Sequence, residues 1–177
     1  MKNFLIIILA SITSTLTAQE IFPLGTSVLD WPDNNYYVKD INNDLTQLEG
    51  EWLYTDGSSS FEVTFEKFEM VSHPIKSNTF YDALNGKYKY INNGVIISER
   101  TTITAGMDND FSLYYESPTA YGLVIKDAAS NRVRIGKFIL TSPTEAEVSF
   151  YTSEGVKIYT NYTGEWSLPT EMTLTKQ

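Results

Sequence analysis

From Gly50 onward, apolar and polar side chains alternate with a period of two. Phe61, Val63 and Phe65 alternate with Glu62, Thr64 and Glu66, which gives a strand one apolar face and one wet face. Trp52 and Tyr54 alternate with Glu51 and Leu53 in the same way. The alternation slips near Lys67-Phe68, which predicts a bulge or bend there. "YDALNGKYKYI" and "VIISERTTI" flank Asn92-Asn93-Gly94. Asn and Gly tolerate positive φ, so this is a hairpin signal. "AYGLVIKD" and "RVRIGKFIL" flank a second turn, Ala128 to Asn131. "EAEVSFYT" and "VKIYTNYTG" flank a third, Ser153-Glu154-Gly155, and "EMTLTK" reads as a last short strand.

Before Gly50 the period changes. Ile41, Leu45 and Leu48 fall at spacings of four and three, with Asp40 as an N-cap and Gly50 as a stop. This predicts one short helix. Residues 19–38 hold Pro23, Gly25 and Pro32 without a sustained period. They read as an extended leader pinned by Trp31, Tyr36 and Tyr37.

About nine short strands with no long helix between them exclude βαβ wiring. The expected fold is all-β: a single antiparallel up-and-down barrel of about 8–10 strands, because closure removes exposed edges. A two-sheet sandwich is the alternative. The lumen would then be lined by residues such as Trp52, Phe65, Tyr88, Ile97, Leu123 and Ile135.

The N-terminus modifies this picture. "MKNFLIIILASITSTLTAQ" has a positive charge at Lys2, a short apolar run and a Ser/Thr-rich stretch ending in Ala18. That is a secretory signal pattern, too short for a membrane span. The expected layout is a signal peptide over 1–18, a leader over 19–38 and a barrel domain over 39–177. No membrane span is expected after cleavage, and an exported protein would reside in the periplasm or outside the cell. The net charge of −9 opposes binding to nucleic acid or anionic membranes. The chain has no cysteine, so disulfides, thiol catalysis and cysteine metal sites are excluded.

Gly-Glu-Trp occurs twice, as Gly50-Glu51-Trp52 and as Gly164-Glu165-Trp166. Each is followed by a Glu-apolar-Thr-apolar run ending in Lys, at Glu62–Lys67 and Glu171–Lys176. Internal duplication and convergence on one hairpin pattern both account for this. In either case Gly50 and Gly164 start or bend an element, and Trp52 and Trp166 act as aromatic plugs. The strand near Trp52 or Phe65 is expected to pair with the one near Leu174.

A short helix followed by Gly50-x-Trp52 at the first strand resembles the lipocalins and related small ligand-binding barrels. That resemblance implies that Trp52 packs across one barrel end under a cation from a late strand, Arg132 or Arg134. From Tyr36 to Gln177 the chain is similar to a family of small secreted Gram-negative proteins of unknown function. The stretches that carry this are "YYVKDINNDLTQLEGEW", "FEVTFEKFEM", "YDALNGKYKYINNGVII" and "LPTEMTLTKQ". The family implies a β-rich secreted domain and supplies no catalytic residues.

Catalytic signals are sparse. His73, the single histidine, precedes Pro74 in a loop and cannot form a multi-histidine zinc site. Asp108 and Asp110 in "MDNDFS" lack the further ligands of a calcium loop. Glu51, Glu62, Glu66, Glu99, Glu145 and Glu147 alternate with apolar residues, which places them on the solvent face rather than in a carboxylate pair. No cofactor is implied.

Aromatic residues are abundant, with 12 Tyr, 9 Phe and 3 Trp. Tyr81, Tyr88, Tyr90, Phe111, Tyr114, Tyr115, Tyr121, Phe150 and Tyr159 either line a cavity or fill a β core. Adjacent Tyr114 and Tyr115 point to opposite faces of an extended strand. The expected function is non-catalytic binding of a small apolar or amphipathic ligand, or a cell-envelope component, inside the barrel. Trp52, Phe65, Tyr88, Tyr90 and Tyr121 are the candidate contacts. The alternative is a protein- or glycan-interaction module using an outer face, and an enzyme is the third reading.

Overall fold

A computed structural model describes residues 19–27, 32–106, 110–151 and 163–177. The expected signal peptide, Trp31, Asp108, Tyr159, the turn at Ser153-Glu154-Gly155 and the strand expected after it lie outside these residues. Among the described residues there are eleven strands: β1 Glu20–Pro23, β2 Tyr36–Lys39, β3 Gly50–Asp56, β4 Ser59–Ser72, β5 Phe80–Asn92, β6 Val95–Arg100, β7 Phe111–Ser117, β8 Ala120–Lys126, β9 Val133–Ser142, β10 Glu145–Tyr151 and β11 Glu171–Lys176.

Eight of these close a barrel. The order β5-β4-β3-β11-β10-β9-β8-β7 returns to β5 through a β5–β7 pairing. All these contacts are antiparallel. Closure of one continuous sheet replaces the two-sheet alternative. The seam anticipated from the repeated tripeptide is present, with Lys176 opposite Trp52 and Thr175 opposite Leu53.

One edge of β5 is shared end to end by three partners. Its start pairs with β2, its middle with β7 and its end with β6. β2 runs parallel to β5, and β1 runs parallel to β2. Part of the leader is thus a two-strand extension of the barrel wall. Tyr36, Tyr37 and Val38 are all buried, as expected for the two tyrosines.

Two local expectations are corrected. The predicted helix is a series of turns that ends in one 3-10 turn, Thr46–Leu48. Asn43 takes a left-handed φ of 61°, which an α-helix cannot accommodate. Leu45 and Leu48 are still buried, whereas Ile41 is 54% exposed. Asp40 does cap the turn, accepting the N–H groups of Asp44 and Leu45. The bulge in β4 lies between Phe68 and Val71, just past the predicted slip. Met70 adopts φ 54° there, and its N–H donates to Asp82. The Asn93-Gly94 turn matches expectation, with positive φ at both residues.

Candidate functional site

The lumen is filled by aromatic side chains. Trp52 meets Phe138 edge-on at 5.3 Å, and Phe138 meets Phe65 at 5.6 Å. Phe65 stacks on Phe111 at 5.8 Å, and Tyr88 contacts both Phe111 and Phe61. Trp52, Phe65, Tyr88, Tyr90 and Tyr121 all belong to this buried cluster. Leu123 is interior too, but Ile97 is 38% exposed and Ile135 only half-buried. The reason is strand parity: on β9 it is Gly136 and Phe138 that face inward, and on β6 it is Ser98.

Both barrel ends are closed. At one end Leu45 and Leu48 enter the core, and the Trp52 indole donates to the Leu48 carbonyl at 2.9 Å. The Tyr121 hydroxyl donates to the Asp44 and Pro118 carbonyls and accepts from Gln47. Burial pushes its pKa up to about 12. At the other end Asp127 is fully buried. Its carboxylate accepts the hydroxyls of Ser98, Ser130 and Ser167 and the N–H groups of Ala129 and Ser167. Burial alone would raise its pKa, but these donors outweigh burial and hold it below the ordinary carboxylate value.

The two Gly-Glu-Trp copies sit at these opposite ends. Gly50 has φ 107° and begins β3. Lys176, not an arginine, lies over Trp52. Arg134 stacks on Trp166 instead, 4.7 Å from the ring centre. Arg132 donates to the Gly164 carbonyl at 2.6 Å and pairs with the exposed Glu165. Both arginines therefore hold the second copy, because β9 begins at the end where Trp166 lies.

A ligand-sized space lies in the wall. Beyond the Leu84–Leu113 and Asn85–Ser112 pairs, β5 leaves β7 and takes β2 as its neighbour. The wedge between them holds a cavity of about 360 Å³. Leu24, Val38, Tyr81, Ala83, Leu113 and Tyr115 supply apolar surface to it, and His73, Asn85 and Ser112 supply polar groups. The leader turn roofs it: Gly25, at φ 83°, packs so closely on Tyr115 that a Cβ would lie 2.8 Å from the ring. The Tyr81 hydroxyl is sealed from water with no hydrogen-bond partner, a costly arrangement for a native structure. Burial raises its pKa. Tyr81, Tyr114 and Tyr115 of the aromatic population reach this cleft; the five candidate contacts do not. Alternation along β5 was the signal that separates outward Tyr81 from inward Tyr88, but strand divergence has no sequence signature.

The residues weighed for catalysis are dispersed. His73 Nδ1 accepts the N–H groups of Ile75 and Lys76, a turn-stabilising role. Its ring meets Tyr81 edge-on. Asp110 pairs with Arg100 and Lys126. Glu51, Glu62, Glu66, Glu99, Glu145 and Glu147 are exposed. No group of three or more His, Asp or Glu residues among the described residues is arranged to hold a metal ion.

Residues 1–121 match the model of a family of unknown function, DUF6705, and the chain belongs to that family. No curated protein and no solved structure matches the chain.

Proposed function

We propose that this member of the family is an exported, non-catalytic binding protein that holds a small amphipathic ligand in the wall cleft. The observation that carries this reading is the cleft itself. A cavity of about 360 Å³ falls in the size range of small-molecule sites. Its lining is mainly apolar with a few polar groups at the edge, and the lumen holds packed rings instead. Export rests on the pattern in residues 1–18 and is checked by N-terminal sequencing of protein recovered from its host.

The test is titration with the amphipathic dye 1-anilinonaphthalene-8-sulfonate. Saturable binding is expected, with loss in a Ser112→Trp variant that fills the cleft. A Trp52→Phe variant, altered in the lumen, should bind as the parent does. Absence of saturable binding, or equal binding by Ser112→Trp, rules the cleft out.

A further inference from the structure

The outer face of β7 to β10 carries an aromatic feature that starts at Tyr114, on the edge of the cleft, and runs away from it. Cross-strand register places Tyr114, Gly122, Lys137 and Ser149 in one row across four strands. Gly122 has no side chain, and the Tyr114 ring lies across it. A Cβ at Gly122 would come within 1.9 Å of Cε2 and 2.6 Å of Cζ. The ring is therefore held against the backbone by its near face, while Tyr114 remains 44% exposed. On β10, Tyr151 is 45% exposed. It is close enough to act electrostatically on the Tyr114 hydroxyl, as are Glu116 and Lys137. Glu116 and Lys137 form an ion pair, offering acceptors and donors beside the rings.

We propose that this face is a carbohydrate platform: Tyr114 and Tyr151 stack on the rings of a neutral oligosaccharide, and Glu116 and Lys137 bond its hydroxyls. Three features favour that occupant. Aromatic faces carry negative potential and attract the C–H groups of a pyranose face. A carboxylate and an ammonium together match hydroxyls, which both donate and accept. The net charge of −9 disfavours a polyanion. With Tyr114 lying over β8 and Tyr151 on β10, the rings are about two strand spacings, ~10 Å, apart. That span suits alternate sugars of one chain.

Tyr114 also reaches the edge of the cleft, but Tyr151, Glu116 and Lys137 do not line it, so the Tyr151 and Glu116 variants separate this reading from the cleft reading. The experiment is isothermal titration of the full chain with cellopentaose, chitopentaose and maltopentaose. At least one should bind saturably. Tyr114→Ala, Tyr151→Ala and Glu116→Gln should each weaken it, the tyrosine changes by about tenfold. Ser112→Trp should retain it. If Tyr114→Ala unfolds, Tyr151→Ala carries the test. No binding at millimolar sugar overturns the platform, as does full affinity in Tyr151→Ala. A dimer by light scattering that becomes monomeric in Tyr151→Ala would give the face to a second copy and also overturn it.

Discussion

The Lys176 ammonium lies 5.6 Å from the centre of the Trp52 ring, and the two residues are direct partners across the β11–β3 seam. The same ammonium donates to the Gln47 carbonyl at 2.7 Å. One side chain thus ties the end of the last strand to β3 and to the turn beneath it. Arg134 over Trp166 is the counterpart at the other barrel end. The repeated tripeptide marks two plugs, each an indole under a cation.

Replacing Lys176 by Met retains the alkyl packing against Gly50 and Trp52 but removes the charge. The cation–π contact and the hydrogen bond are each worth about 1 kcal/mol. Lys176→Met should lower unfolding stability by about 1–2 kcal/mol. Trp52→Ala leaves a large cavity and should cost about 3–5 kcal/mol. Urea denaturation with constant slope measures both. Equal losses would place the stabilisation in the charge rather than in the indole's volume.

Gly86 and Gly136 make room for core rings rather than for unusual backbone angles. A Cβ at Gly86 would lie 2.1 Å from Phe111 Cε1 and 2.8 Å from the Thr64 carbonyl. At Gly136 it would lie 2.4 Å from the Ser149 carbonyl and 2.7 Å from Phe150. Gly86→Ala and Gly136→Ala should each destabilise by about 1–3 kcal/mol through overpacking. In both variants thermal unfolding should move to lower temperature, and parental midpoints would show that the rings relax freely.

Seven of the eight barrel strands, all but β7, were readable because alternation reports which side of a sheet faces the core. Phe61, Val63 and Phe65 marked β4 this way, and Asn92-Asn93-Gly94 marked the turn between β5 and β6. The β3–β11 seam was legible from the repeated tripeptide. Asn43 decided against the helix, since one left-handed residue outweighs three well-spaced aliphatics. Ile97 and Ile135 were misplaced because a bulge in the β5–β6 pairing and the Gly136 contact set parity, and neither shows in residue type alone. The cleft was illegible for a different reason. It arises where β5 exchanges β7 for β2, a long-range choice of partner between residues far apart in sequence. That Tyr114 and Tyr115 face opposite ways was legible; that Tyr114 is the outward one, resting on Gly122, needed the register.

Attachment of the leader depends on a buried polar cluster. The Tyr37 hydroxyl donates to Asp82 Oδ1 at 2.5 Å, and the Asp40 N–H donates to Oδ2. Lys67 pairs with Asp40 at 2.8 Å with little solvent access. Burial first, then the Asp82 carboxylate, raise the Tyr37 pKa. Tyr37→Phe should leave Asp82 short of a donor and cost about 1–3 kcal/mol. Because, among the described residues, β2 meets the barrel mainly along β5 and the nearby β4 segment, the loss should be local. Hydrogen exchange should speed up in β1 and β2 while β9 and β10 stay protected. Uniform acceleration would instead make the leader part of the global folding unit.

Asp127 predicts how the barrel responds to acid. Its folded pKa is depressed by the surrounding hydroxyl and N–H donors, against the effect of burial. A carboxylate shifted this way stabilises the fold fully above its unfolded value of about 3.9, and that stabilisation is lost as pH falls through the folded value. Asp127→Asn removes the charge and turns one acceptor into a donor facing other donors. It should cost about 3 kcal/mol near neutral pH. The stability gap between parent and variant should then narrow below about pH 4, where the unfolded chain takes up a proton that the folded carboxylate, with its depressed pKa, still resists. Urea midpoints measured for both proteins from neutral to acidic pH give the gap directly. A gap that stays constant across that range would show that the charge on Asp127 does not hold the barrel end closed, and that its shape alone does.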